Sequence, residues 1–258
     1  MAQQRMKEII PEPTTQELAL ARQEQAQVMA TQMVEAGISP DDIVIPRLML
    51  MQNTSEYVGD GKAKMGDIMN AQSMTVVGGI NTPVEIVPLK MFKTIRIYDV
   101  SQQPPKFIRQ EPATPATEKL PFEGNEGGVA VKRYLNLNFY ILMKKDIDND
   151  EAFPVVVSFK STSLRAGKQL ATQLFKMLAL RKPVYSKSVM LTVTKEKKDT
   201  NYYAVFGIAE GSVVDETTRA KAEEWLANIG TMKVQEDVDP TDTVTAPAVE
   251  RSGSNDLY

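Results

Sequence analysis

The sequence predicts a β-rich α+β chain built round an OB-like five-stranded barrel, with one helix between the third and fourth strands. Three observations carry this. Val84–Tyr98 and Ala130–Lys144 alternate apolar and polar residues as half-buried strands do. The continuous apolar run Phe153–Lys160 is followed by a helix candidate, Ser161–Arg181, that Pro183 stops. Two more alternating segments follow, Ser188–Thr194 and Tyr202–Ala209. Five strands with a helix in that position is the order of an OB-fold, a small barrel that often binds single-stranded nucleic acid.

Composition narrows the function. The chain has 258 residues, 42% hydrophobic and 24% charged, enough to bury a core. No apolar run reaches the roughly 18 residues of a membrane helix, and Met1–Ile10 is too polar for a secretory signal, so a cytoplasmic location is expected. There is no Cys and no His. That excludes a disulfide framework, a thiol nucleophile, a Ser-His-Asp triad and a histidine base, and it removes the usual zinc ligands. A non-enzymatic protein without cofactor or metal is expected. Net charge is −3, but residues 82–209 hold 20 Lys and Arg against 12 Asp and Glu, and the rest 10 against 21. A basic middle of about +8 between acidic ends accompanies polyanion binding. Lysines that serve only solubility give the same balance.

In chain order, residues 1–40 are read as an N-terminal arm. Thr14 or Thr15 caps a helix running to about Ala36, with Gly37 past its end. Its apolar residues make no clean stripe, so it is a mobile arm or a helix that orders on a partner. Residues 41–232 form the expected domain, with core 84–209. Pro46 bars a helix through Ile43–Gln52, and Arg47–Gln52 reads as a buried strand. Gly59–Asp67 holds Lys62 and Lys64, but its spacing matches no phosphate-loop fingerprint; it reads as a turn. Ile68–Val77 reads as one more strand.

In Val84–Tyr98, Met91, Lys93, Ile95 and Ile97 share one face, and Phe92, Thr94, Arg96 and Tyr98 the other. Residues 101–128, with five prolines and three glycines, read as a long flexible loop. In OB-folds the loop after the first strand contributes to ligand binding, and Lys106, Phe107 and Arg109 lie in it. Ala130–Lys144 pairs a core face (Val131, Leu135, Leu137, Phe139) with a second face of Lys132, Tyr134, Asn136, Asn138 and Tyr140. Aromatic rings spaced by polar and basic residues suit base stacking, since every base has a π-face. Ordinary β-propensity of Tyr and Asn produces the same pattern.

Asp146–Glu151 opens like a calcium loop but lacks its glycine and closing glutamate, and reads as an acidic turn. In the helix, Leu164, Ala171, Leu174 and Leu178 form the expected core stripe, opposite Arg165, Lys168, Thr172 and Lys176, and Ser161–Ser163 supply its cap. Lys195–Asn201 reads as a charged hairpin loop. Thr217–Ile229 is the last helix, packed through Ala220, Trp225 and Leu226. Residues 233–258 are acidic, poor in apolar residues and expected to be disordered.

The strand–helix–strand order of Val84–Ala209, its basic, aromatic-bearing strand, and the segments Ile45–Gln52 and Gly61–Asp67 resemble a phage single-stranded DNA-binding protein of OB-fold type. That resemblance covers about two thirds of the chain. It implies sequence-independent binding of single-stranded DNA, with RNA served by the same chemistry, in phage replication and recombination within the host cytoplasm. It also implies an acidic tail that recruits replication or recombination proteins, here ending Asp256-Leu257-Tyr258, with one acidic residue at the tip where the common pattern has several. The expected nucleic-acid residues are Phe92, Lys93, Arg96, Tyr98, Lys106, Phe107, Arg109, Lys132, Tyr134, Asn136, Tyr140, Arg165 and Lys168, and an oligomer is allowed. Two rivals stand beside this reading. One is a protein-interaction module, a virion component or an inhibitor of a host factor. The other is a carboxylate-metal enzyme on Asp146, Asp148 and Asp150, which sit on one turn and do not converge from separate strands.

Overall fold

The computed structural model describes residues 27–28, 31–39, 42–229 and 233–234. In chain order the elements are β1 (Val44–Ile45), β2 (Arg47–Leu50), α1 (Glu56–Gly59), β3 (Ile68–Asn70), β4 (Thr75–Gly78), β5 (Val84–Asp99), β6 (Lys106–Pro112), β7 (Glu123–Glu126) and β8 (Val129–Met143). They continue with α2 (Lys144–Asp148), β9 (Val155–Phe159), α3 (Leu164–Ala179), β10 (Lys187–Lys198), β11 (Asn201–Val213), α4 (Glu216–Asn228) and β12 (Lys233–Val234).

The two long alternating segments, β5 and β8, pair antiparallel along nearly their whole length and organise a ten-stranded mixed sheet. Its order is β11-β10-β5-β8-β9-β2-β3-β4. Beyond the stretches that pair with β10 and β9, β5 takes β6 and β8 takes β7. β6-β5-β8-β7 therefore form a four-stranded arm on the main sheet.

From Asn136 to Met143 both faces of β8 are buried. Leu137, Phe139, Ile141 and Met143 enter one core with Ile86, Phe159, Leu191 and Phe206. Helix α3 covers this core with Ala166, Leu170 and Leu174. Gly167 lets the helix approach closely, because a Cβ there would lie 2.6 Å from Phe159 Cβ. Tyr140 and Leu142 point the other way, into a second core with Val87, Leu89, Tyr185 and Ala222. Helix α4 covers it, anchored where Trp225 Nε1 donates to the Ala152 carbonyl at 3.0 Å and Tyr185 donates to Glu223 at 2.7 Å. Each large side chain so buried contributes roughly 1.5–3 kcal/mol. Asp215 caps α4 by accepting from Thr218 N–H, and that contact holds its carboxyl down at about 2.

The expected barrel does not close. β9 and β11, the third and fifth of the expected strands, do not pair; β9 takes β2 in parallel, with Arg47 opposite Val156. The gap to β11 is spanned by side chains. The Gln52 amide donates to the Ala204 carbonyl and accepts from the Ala204 N–H, both at 2.9 Å. Asn53 donates to the Tyr202 carbonyl, and Ser163 Oγ accepts from Phe206 N–H. Successive outward groups of an edge strand are thus satisfied without a neighbouring strand.

Several expectations are corrected. Residues 101–128 contain β6, a 3₁₀ turn and β7, because the prolines fall outside or at the ends of the pairing segments. Ile68–Val77 is a hairpin, turned at Met74 with φ +56°. Lys195–Asn201 is not a loop; β10 runs to Lys198 and a two-residue turn with Asp199 at φ +55° starts β11. Ser161–Ser163 do not cap α3, since Ser163 Oγ is engaged by β11. The buried stripe of α3 is Ala166, Gly167, Leu170 and Leu174, while Leu178 is exposed. In α4, Ala222 is buried and Ala220 is not. Lys233–Val234 pair with β1 and so are strand. The expectations for the arm before residue 27 and for the tail after residue 234 lie outside the described residues. Among the described residues no helix is long and apolar enough to cross a membrane.

Gln52→Ala is expected to lower stability by about 1–3 kcal/mol in urea titrations, through the unpaired Ala204 groups, and to speed hydrogen exchange at the Ala204 amide; unchanged protection there would contradict the clamp. The Asp215 carboxyl is depressed on folding, so its stabilisation is present above its unfolded pKa and is lost as pH falls from about 4 towards about 2. Thermal melts over that range are expected to show a shallower fall in Asp215→Ala than in the wild type. Equal falls would show that the cap does not titrate with folding.

Candidate nucleic-acid interface

The register sets which expected residues share a surface. Arg96 lies opposite Tyr134 and Tyr98 opposite Lys132 across β5–β8, while Tyr98 faces Phe107 across β5–β6. These residues therefore share one face of the arm. Four rings run edge-to-face across it: Phe107 to Tyr98 at 5.7 Å, Tyr98 to Tyr134 at 5.5 Å and Tyr134 to Phe122 at 5.1 Å between centroids. Arg96 lies 5.0 Å from the Phe107 ring and 5.5 Å from that of Tyr98, and Lys132 lies 5.7 Å from Phe122. The terminal rings, Phe107 at 41% and Phe122 at 48%, are open to solvent.

The inner members are not. Tyr98 is 3% exposed and Arg96 and Asn136 are buried. Tyr134 is half-buried, and burial pushes its phenol up. Tyr140 is 9% exposed and packs on Phe92 at 4.9 Å within the second core. Tyr98, Tyr140, Arg96 and Asn136 therefore present no open surface to a base in this conformation. The alternation that marked them as a polar face is real, but the strand is covered on both sides. The polar groups of this face bond inward: Asn138 donates to Thr94 and accepts from Ser158, and Arg47 donates to Ser158 at 2.6 Å. The Asn136 amide is buried without a hydrogen-bond partner among the described residues.

The cations of the arm are largely neutralised at home. Lys93 pairs with Glu118, Lys132 with Glu123, and Arg109 with Glu111 and Glu126. Arg133 also grips Glu126, whose carboxyl is held below its ordinary range by Arg133 first and Arg109 second. Lys106 is exposed and makes no salt bridge among the described residues.

Helix α3 is the contrary case. Residues 160–195 hold eight Lys and Arg and no Asp or Glu. With Ala166, Gly167, Leu170 and Leu174 facing the core, helical spacing turns Arg165, Lys168, Thr172 and Lys176 outward. All four are exposed, and the three cations make no salt bridge among the described residues. Ser161, Thr162, Arg165, Lys168, Gln169 and Thr172 line an open groove of about 460 Å³. Phe175, one turn beyond Thr172, is 70% exposed, the most open aromatic ring among the described residues. Arg165 and Lys168 were legible as candidates. Phe175 and Lys176 were missed as site residues, although the carboxylate-free run that marks them can be read from the sequence.

A second missed cluster lies on the β10–β11 hairpin, where Lys195 and Lys197 stand 4.3 and 5.4 Å from the exposed Tyr202 ring. Asp146, Asp148 and Asp150 form no metal-binding group, and no cluster of three or more potential ligands occurs among the described residues. Asp148 pairs with Lys144 and Asp150 with Lys221, while burial raises Asp146. Asp256, Leu257 and Tyr258 lie outside the described residues.

Packing rings and open rings are separable by experiment. Tyr140→Ala is expected to cost about 3–5 kcal/mol in chemical unfolding, as for other buried aromatic truncations. Phe175→Ala is expected to stay within about 0.5 kcal/mol, as for surface changes. Similar losses for the two would contradict this division.

Comparison with known proteins gives one match. Residues 15–235 fit the model of a family described as Pam3 phage gp34-like protein. No curated protein and no solved structure matches the chain significantly. The match spans most of the chain, and the protein belongs to the Pam3 phage gp34-like family.

Proposed function

We propose that this phage protein binds single-stranded DNA without sequence preference and acts in phage DNA replication or recombination. One observation carries the reading: the outward face of α3 offers three unneutralised cations beside an open aromatic ring, within a carboxylate-free stretch. Phosphates are drawn to Arg165, Lys168 and Lys176, and a base stacks on Phe175, the combination that sequence-tolerant binding uses. On the arm, Phe107 and Phe122 offer further rings and Lys106 a further charge. Phe92, Tyr98 and Tyr140 act as packing residues in this reading, and Lys93, Arg109 and Lys132 contribute only as far as their glutamate partners release them.

The exposed Leu178 and Leu180 beside Phe175 favour a second reading, in which an acidic amphipathic partner protein occupies the same face.

Fluorescence anisotropy with a labelled oligonucleotide, single-stranded and duplex, at two salt concentrations separates them. Binding is expected to weaken steeply with salt and to favour the single strand. The Arg165→Glu, Lys168→Glu double variant is expected to bind at least tenfold more weakly, with a salt slope lower by about 1.4, two phosphate contacts at about 0.7 each. Salt-insensitive binding, or equal affinity for duplex, would overturn the DNA reading.

A further inference from the structure

Two arginines of the arm converge on one carboxylate. Arg109 on β6 and Arg133 on β8 both lie opposite Ile97 of β5, one on each side of it. Their side chains therefore share the face of the arm turned away from the four rings. Glu126 on β7 accepts from both at once, Oε1 from Arg133 Nη2 at 2.7 Å and Oε2 from Arg109 Nη2 at 2.9 Å. Other groups set the two guanidiniums in place. The Pro121 carbonyl accepts from Arg133 Nη1 at 3.2 Å, and Glu111 accepts from Arg109 Nε at 3.2 Å. Gly124 leaves room for Arg133, because a Cβ there would lie 2.5 Å from Nη1. The Arg133 side chain is 10% exposed, and its buried Nε makes no hydrogen bond among the described residues. Arg109, at 46%, opens the pair to solvent.

We infer that Arg109 and Arg133 form a phosphate clamp for the single strand, held shut by the protein's own Glu126. A phosphodiester offers two anionic oxygens to the pair, as Glu126 does, and the guanidinium fork suits both groups. It carries two ester oxygens besides, where the carboxylate has both of its oxygens already engaged. An ion pair open to water is weak, so one anion replaces another at little cost. Glu126 is tethered beside the arginines and keeps them from weak or passing anions, while a strand held elsewhere on the protein displaces it. The inference rests on the reading that the protein binds single-stranded DNA. In that reading the α3 face is the open site and the arm carries a masked one.

Fluorescence anisotropy of the full-length protein with a labelled single-stranded oligonucleotide tests it. Glu126→Gln is expected to bind roughly threefold more tightly than the wild type, the release of one weak ion pair, and to lose that gain when Arg109→Gln is added. Glu126→Ser serves if the melting temperature shows that Glu126→Gln does not fold. Glu151→Gln, which removes the same charge from an exposed residue outside the arm, is expected to leave binding unchanged. An equal gain in Glu151→Gln would overturn the clamp. So would the absence of a gain in Glu126→Gln while the Arg165→Glu, Lys168→Glu variant still binds more weakly, and the α3 reading would then stand. No binding by any of these proteins would overturn both. A gain that inorganic phosphate abolishes, where chloride of equal ionic strength does not, would give the clamp to free phosphate and overturn its assignment to the strand.

Discussion

The bonds between Gln52 and the Ala204 backbone are what the rest of the fold depends on. A sheet led by the 16-residue β5 and the 15-residue β8 curls through its twist, and its end at β11 comes round towards β2. A closed barrel would join those ends by a backbone ladder. Here an amide side chain, with one donor and one acceptor side by side, stands in for a strand residue. Asn53 and Ser163 repeat the device on either side of it. The curl encloses the first core, α3 covers that core, and the outward face of α3 follows from which residues the core takes. The candidate interface is in this sense a consequence of the curl.

Charge is distributed by the same logic. The arm is a narrow sheet with little apolar content to hold its outer strands, and β6 and β7 are tied to it by ion pairs centred on Glu126, Glu123 and Glu118. Those carboxylates hold the arm together at the expense of its positive potential. Helix α3 is held by Leu170 and Leu174 in the core and needs no such pairs, so its cations stay available. The net charge of −3 hides this division, because the neutralised and the free cations count alike.

Much of the fold was legible. The alternation of β5 and β8, the apolar run of β9, and the break at Pro183 each reflect local rules, and each element lies where those rules put it. That the sheet stays open, its gap to β11 bridged by side chains, was not legible, because it depends on a glutamine just past the end of β2. β6 and β7 were hidden by prolines that flank the pairing residues and do not interrupt them. The site was legible in part. Parity placed Phe92, Tyr98, Tyr134 and Tyr140 on one face, but a period of two says nothing of what lies on top: α4 packs over Phe92 and Tyr140 from the far end of the chain, while Phe107 and Phe122 flank Tyr98 and Tyr134. Arg165 and Lys168 were found because helix spacing separates them from the apolar stripe. Leu178 was misread as core because spacing alone does not show where burial stops: the last buried position of α3 is Leu174, and Leu178 is exposed.

The most direct test is photo-crosslinking of a single-stranded oligonucleotide carrying bromodeoxyuridine, followed by peptide mapping of the adduct. The predicted result is a dominant crosslink within 164–179, centred on Phe175, which is lost in Phe175→Ala while the protein still melts normally. Crosslinks confined to other elements, or none under conditions that crosslink a known single-strand binder, would contradict the account.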